Sequence, residues 1–269
     1  MDQRLAANRT NWNDRVPVHR RSRFYDVDGW LLDQAGPPPR EIEALGDLND
    51  RTLVHLQCHF GLDTLRWARA GATVTGLDFS PAAIDEAIAL SKRAGLSERA
   101  TFVCANVYDA LEVLAGRNFE IVYVSLGSLC WLPDVSAWGK VVAGLLAPQG
   151  RVYLHDVHPF AFSLDDDGER IIYSYFEEPD TPLVDDGGVT YTDGAALEKT
   201  MNYEWNHSIG EMVTALGDHG VVLDALVEHD WTLFRQFPWL VETPTGHFAV
   251  PEGRPRIPLS FTLLAHAAS

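Results

Sequence analysis

Three cysteines in 269 residues are too few for a disulfide framework. Cys58, Cys104 and Cys130 cannot pair off completely, and their spacing lacks the CxxC of a zinc or redox site. Each falls in an apolar strand-like or post-strand segment, where a buried free thiol is expected. Positive charge is also scarce. Lys and Arg number 21 against 38 Asp and Glu, a net charge of −17, which argues against the basic footprint of a nucleic-acid partner. No apolar run approaches the roughly 20 residues that span a bilayer. The N-terminal MDQRLAANRTNWNDR lacks the apolar core of a secretory signal, so a cytoplasmic protein without a membrane partner is expected. Nucleophile elbows (G-x-S-x-G), P-loops, internal repeats and low-complexity tracts are missing as well.

What is present is an ordinary globular composition, 46% hydrophobic and 22% charged, with the charge unevenly spread. Residues 1–23 carry six Arg and two Asp, +4, whereas residues 165–186 carry nine acids and one Arg, −8. The acidic stretch reads as a solvated loop or as a cation-recognising surface. From residue 52, apolar runs alternate with helical patterns: strands at 52–58, 73–78, 100–106, 119–125 and 151–158, and helices at 61–70, from Pro81 onward and at 134–146. Ser80 and Pro81 supply an N-cap and a first-turn proline. Such alternation implies an α/β fold with right-handed crossovers and a parallel sheet covered on both faces. Past residue 160 the rhythm breaks. An inserted hairpin or flap at about 163–206 is expected, with strand candidates at 171–176 and 189–192. A helix at 207–220 follows, then strands at 221–231 and 260–267 that can pair as an antiparallel hairpin completing the sheet.

Ligands of open α/β sheets sit beyond the carboxyl ends of the strands, so those ends carry the functional signal. The first strand-to-helix turn, HLQCHFGLDTL, keeps only Gly61 of the G-x-G-x-x-G that brings backbone against a dinucleotide pyrophosphate. A phosphate-free cofactor has less need of those glycines. Asp78 ends the second strand and can accept from both ribose hydroxyls of a nucleoside, or else serve helix capping. Asn106 ends the third, where its side chain and the Val107 amide can read an adenine edge, or where it is a plain turn residue.

Over residues 50–160 these features resemble the class I S-adenosylmethionine-dependent methyltransferases. The resemblance rests on VHLQCHFGLD, the acid in GLDFS, the polar residue in ANVYD, and LGSLCWLPD before a helix ending in APQG. The usual acidic, glycine-rich first motif is replaced by His55, Gln57, Cys58 and His59. Over nearly the whole chain the sequence resembles a bacterial subgroup sharing LQCHFGLDTL, an N-terminal NW…R…H…FYD pattern and a WNHS segment. The resemblance implies a Rossmann-like fold with a seven-stranded, mostly parallel sheet, helices on both faces, an N-terminal helical lid (1–50), and a main domain (51–269). It implies a donor site formed by His55, Gln57, Cys58, Gly61, Asp78, Phe79, Asn106, Val107, Ser125 and Tyr25. It implies methyl transfer to an O or N atom of a small-molecule metabolite, in the setting of bacterial secondary metabolism.

Catalytic groups are sought at the end of the fifth strand, HDVHP. His155 and His158 point to opposite faces and make a poor metal pair, so no metal is expected; Asp156 and His158 share a face. His158 is the leading candidate for general base, with Asp156 beside it; otherwise His158 orders the loop before Pro159. His207 in YEWNHS faces the cleft from the flap, or belongs to a capping turn. The aromatic-rich N-terminus reads as a lid or a dimer arm, with Trp12 and His19 as substrate contacts; Trp131 is either a substrate wall or core. A monomer or homodimer is compatible with all of this. Two other classes stay open: a nicotinamide-dependent oxidoreductase on the same sheet, and a catalytically degenerate binding protein.

Overall fold

The computed structural model describes residues 2–193 and 196–268. Three helices open the chain: α1 (Gln3–Arg21), α2 (Val27–Asp33) and α3 (Pro39–Leu45). The alternating part follows as β1 (Thr52–Leu56), α4 (Leu62–Arg69), β2 (Thr73–Asp78), α5 (Pro81–Arg93), β3 (Ala100–Cys104), α6 (Ala110–Val113), β4 (Phe119–Val124), α7 (Val135–Leu145) and β5 (Leu146–Val157). Then come α8 (Pro159–Phe162), β6 (Leu183–Asp185), β7 (Asn202–Glu204), α9 (Ile209–Gly217), β8 (Val221–His229), β9 (Trp231–Thr232), β10 (Val241–Glu242), β11 (Phe248–Ala249) and β12 (Ser260–Ala267).

Seven strands form the main sheet in the order β3-β2-β1-β4-β5-β12-β8. The first five run parallel, and β12 lies antiparallel between β5 and β8. The expected seven-stranded, mostly parallel Rossmann-like sheet is observed, including its closing hairpin. Alternation along the strands divides two cores. Val54, Leu56, Val122, Val124, Val152, Leu154 and Phe261 face α7 and α9, whose Trp138, Val142, Met212 and Leu216 complete one core. Leu53, Ile121, Tyr123 and Tyr153 face the opposite way, onto Leu45 and Leu48 and onto Trp67 and Ala68 of α4. Strand order reverses between β1 and β4, so the ligand crevice opens beyond their carboxyl ends.

Local signals set the helix starts. The Ser80 hydroxyl accepts from the Ala83 amide at 3.1 Å with Pro81 in the first turn. Asp134 caps α7, and Ser208 with Glu211 forms a capping box on α9. Helix α1 is unusual in that its buried face is mostly polar: Asn8, Asn11, Arg15 and His19 recur at helical spacing, with Leu5 and Val16 as its buried apolar residues. These side chains grip the insertion. Asn8 bonds both the amide and the carbonyl of Tyr203 at 2.7 Å, Asn11 donates to the carbonyls of Lys199 and Thr200, and Asp14 accepts from the amides of Glu198 and Lys199.

Three expectations are corrected. The insertion does contain a hairpin, but it pairs β6 with β7. Residues 171–176 offer only an isolated bridge from Ile171 to Leu164, and 189–192 are irregular, because the acidic loop leaves Ile171, Ile172 and Val189 exposed with no apolar face to pack on. A small sheet, β10-β11-β9, lies in the stretch after β8 that the pattern left unassigned. Of the three thiols Cys58 is buried and Cys130 half-buried, but Cys104 is exposed, since β3 is the edge strand. Among the described residues no helix is long and apolar enough to cross a membrane.

Candidate active site

The turn after β1 is the unusual element of the crevice. Gln57, His59 and Gly61 take φ values of 57°, 51° and 75°, the left-handed region that favours glycine. Each non-glycine residue there costs on the order of 1 kcal/mol. Gly61 cannot carry a side chain: a Cβ would lie 2.6 Å from the Phe102 ring. Gln57 and His59 instead extend along the wall of a cavity of about 620 Å³, within the roughly 300–1,000 Å³ of small-molecule sites. Gln57 Nε2 donates to the Ser128 carbonyl at 2.7 Å, while its Oε1 is buried without a partner. His59 Nε2 lies 3.0 Å from His19 Nδ1, and its Nδ1 is buried without a partner.

Asp78 fixes the neighbouring wall. Its carboxylate accepts from the amides of His59 and Ser80, each at 2.8 Å. Two of about four acceptor positions are used, and the residue lines the cavity. Burial pushes its pKa up to about 6, against the pull of those amide bonds. Phe79, Ala105, Asn106 and Val107 continue the wall, with Asn106 Oδ1 accepting from the Tyr108 amide at 3.1 Å. Across the crevice, Asp156 holds the loop after β4: its carboxylate accepts from the amides of Gly127 at 2.6 Å and Leu129 at 3.0 Å.

The roof comes from α1 and the insertion. Trp12 meets His59 and Trp131 edge-on at 5.0 and 5.2 Å, and the Arg15 guanidinium lies 5.3 Å from both indole rings. His19 Nε2 bonds Thr190 Oγ1 at 2.6 Å, and Tyr25 and Tyr191 share a hydroxyl contact of 2.5 Å. Burial, with Arg15 nearby, brings His19 down to about 3, so it is neutral. Glu204 lines the cavity from β7, and burial raises its carboxyl to about 7, partly offset by Arg15.

Of the residues expected at the donor site, Gln57, Cys58, Gly61, Asp78, Phe79, Asn106, Val107, Ser125 and Tyr25 line this one cavity, as do Trp12 and Trp131. His55 lies behind it, neutral at about 3 through burial, bonded to Thr64 Oγ1 at 2.7 Å and Ser125 Oγ at 3.0 Å. His19 supports His59 rather than forming the lining. The expected catalytic trio lies elsewhere. Residues 155 and 157 of β5 face the cavity, which turns Asp156 and His158 to the other side. His158 accepts the Phe160 amide on Nδ1 and meets Glu228 with Nε2 at 2.8 Å. His207 is held by Glu177 at 2.6 Å and the Leu132 carbonyl at 2.8 Å. Arg15, Arg40, Arg66, Thr190, Tyr191 and Glu204 line the site without having been singled out for it, and His155, weighed only as a metal ligand, lines it too. The recurrence of polar residues along α1 was the available signal for Arg15.

Residues 54–150 match the protein family described as Methyltransferase domain. The matched segment is about a third of the chain and runs from β1 to the start of β5. The family so described is of the enzyme class expected from the sequence. No curated protein matches the sequence. Among solved structures, a Listeria monocytogenes protein described as an S-adenosylmethionine-dependent methyltransferase aligns with a TM-score of 0.62 at 18% identity, over 86% of this chain and 96% of that one. A Mesorhizobium loti S-adenosylmethionine-dependent methyltransferase gives 0.55 at 18%, over 87% and 99%. The geranyl diphosphate C-methyltransferase of Streptomyces coelicolor, solved with S-adenosyl-L-homocysteine, gives 0.54 at 13%, over 84% and 76%. At these identities the likeness is one of fold. The matched segment carries the cavity's β1, β2 and β3 walls, while α1 and the insertion, which form the roof, lie outside it.

Proposed function

We propose that the protein transfers a methyl group from S-adenosylmethionine to an O or N atom of a small molecule, in a bacterial biosynthetic setting. The observation that carries this reading is a single cavity that joins the Asp78–Asn106 wall to a second, aromatic and polar lobe under α1 and the insertion. The residues fit the donor. Asp78 has acceptor positions left for ribose hydroxyls, Asn106 and the Val107 amide suit an adenine edge, and the unpartnered Gln57 Oε1 suits the methionine ammonium. When bound, the donor supplies an electrophilic methyl group on a sulfonium, a very good leaving group. The chain's own task is then mainly placement of the acceptor's nucleophile. Glu204 takes the place of His158 as the proposed base: it faces the cavity, and a carboxyl near 7 can receive the proton the acceptor's O or N releases.

The methyltransferase-domain match favours this reading over a nicotinamide-dependent oxidoreductase, as does a turn with Gln57 and His59 in place of glycines. A catalytically degenerate binding protein is the remaining competitor. Isothermal titration with S-adenosylmethionine and S-adenosylhomocysteine tests the donor site: micromolar binding that Asp78→Ala weakens by about a hundredfold is expected, on the loss of two charge-assisted bonds. No binding, or equal binding by Asp78→Ala, would sink it.

A further inference from the structure

The cavity extends past the donor wall into a lobe between α3, α4 and β5, and its polar groups are poorly satisfied by the protein. Arg40 and Arg66 both line it, and the Nε of each is buried without a hydrogen-bond partner. Their nearest carboxylates are at ion-pair rather than hydrogen-bond distance: Glu41 is 3.5 Å from Arg40 and Asp63 is 3.8 Å from Arg66. His155 adds an independent sign. It is 3% exposed, its Nδ1 is engaged with Thr262 Oγ1 at 3.0 Å, and its Nε2 has no partner. With hydrogen on Nε2 it presents a third donor beside the two guanidiniums.

Buried donors left unmatched are costly and are normally paired. Two guanidiniums and an imidazole that share this condition in one lobe call for an acceptor-rich, negatively charged partner. We propose that this lobe is a subsite for an anionic group, a carboxylate or a phosphate, carried by the methyl acceptor. The planar fork of arginine suits both groups. Glu41 offsets the charge of Arg40 only in part: burial raises its carboxyl to about 7, against the pull of Arg40 and of the Tyr123 hydroxyl at 2.9 Å, so near neutrality it is only partly ionised. Asp63 is partly exposed, so solvent screens it from Arg66. Leu233 and Phe234 line the same cavity and give the rest of such a molecule an apolar surface. In a chain of net charge −17, attraction of an anion must come from such a local concentration of positive charge.

The inference rests on the methyltransferase reading for the word acceptor, and the experiment separates the two. Inorganic phosphate and benzoate are titrated by calorimetry into wild type, Arg40→Gln, Arg66→Gln and Arg40→Lys, each with and without saturating S-adenosylhomocysteine. The expected result is millimolar binding of at least one anion to wild type in both conditions. Each Gln variant should bind about tenfold more weakly, with partial recovery in Arg40→Lys and unchanged affinity for S-adenosylhomocysteine. Failure of both anions to bind wild type, or equal binding by the Gln variants, overturns the subsite. Loss of S-adenosylhomocysteine affinity in the Gln variants also overturns it, by assigning the guanidiniums to the donor's own carboxylate. If wild type binds no S-adenosylhomocysteine, the donor reading fails while the anion arm is still read. Thermal melts of each variant establish that it is folded.

Discussion

The buried position of Asp78 makes donor binding depend on pH in a way that can be worked through. The ribose hydroxyls would donate to its carboxylate, so the ligand binds the ionised form better, and the raised pKa of about 6 brings protonation into an accessible range. The carboxyl is nearly all ionised at pH 7.5, about half ionised at pH 6 and roughly a tenth ionised at pH 5. Affinity for S-adenosylhomocysteine should fall with the competent fraction, by about tenfold or 1.4 kcal/mol between pH 7.5 and pH 5. The sign is that of a carboxyl that must be charged to act: binding is lost as pH falls through 6. Glu41 and Glu204, both raised to about 7 by burial, titrate in the same cavity. Asp78→Asn separates them. The amide keeps one acceptor for the His59 or Ser80 amide but turns a donor toward the other, so the variant binds weakly at all pH values and its remaining pH dependence belongs to other groups. Calorimetry at quarter-unit steps, with melts to exclude unfolding, is the assay. A wild-type affinity constant from pH 5 to 7.5, or an identical slope in Asp78→Asn, would refute the reasoning.

Other outcomes follow from the same geometry. Selective carbon labelling of glutamate should show a side chain titrating near 7 that disappears in Glu204→Gln, whereas a Glu204 titration below 5 would remove it as a base. Gly61→Ala should destabilise by about 2–4 kcal/mol, because it adds a strained φ to a contact with the Phe102 ring; chemical denaturation gives the value, and a loss under 1 kcal/mol contradicts the packing. Trp138→Ala empties the centre of the α7 core, where the ring is fully buried, and should cost about 3–5 kcal/mol by the same measurement, with donor affinity changed less than threefold in the folded variant.

The alternating half of the molecule was legible because each element there announces itself locally. Strands such as Thr73–Asp78 are short apolar runs, and Ser80–Pro81 marks a helix start by chemistry that acts over three residues. The donor wall was legible for the same reason, since strand ends are where ligands meet an open sheet. Period-two alternation also placed Asp156 and His158 on one face correctly, but it fixes only relative orientation. Which face meets the cavity depends on what packs against β5, and there His155 and Val157 face inward. Asp156 acts on the site from behind, through the loop at Gly127–Leu129. The roof was least legible. Helix α1 buries asparagines, an arginine and a histidine, so no apolar stripe betrays its inner face, and its partner is a loop whose backbone it bonds. The strands at 183–185 and 202–204 span three residues each, too few for a pattern.

The clasp between α1 and the insertion also sets an order of events. The first twenty residues leave the ribosome long before residues 198–203, the backbone that Asn8, Asn11 and Asp14 require. During that interval β1 to β5 can assemble the floor and the donor wall, since their contacts lie upstream. The N-terminal helix can meanwhile rest on α5, where Ser80 donates to Asn13 and Arg20 pairs with Glu86, but the polar partners of Asn8, Asn11 and Asp14 are still to come. A nascent chain is thus an open tray for most of its synthesis, and it gains its roof only when the insertion reaches back to α1.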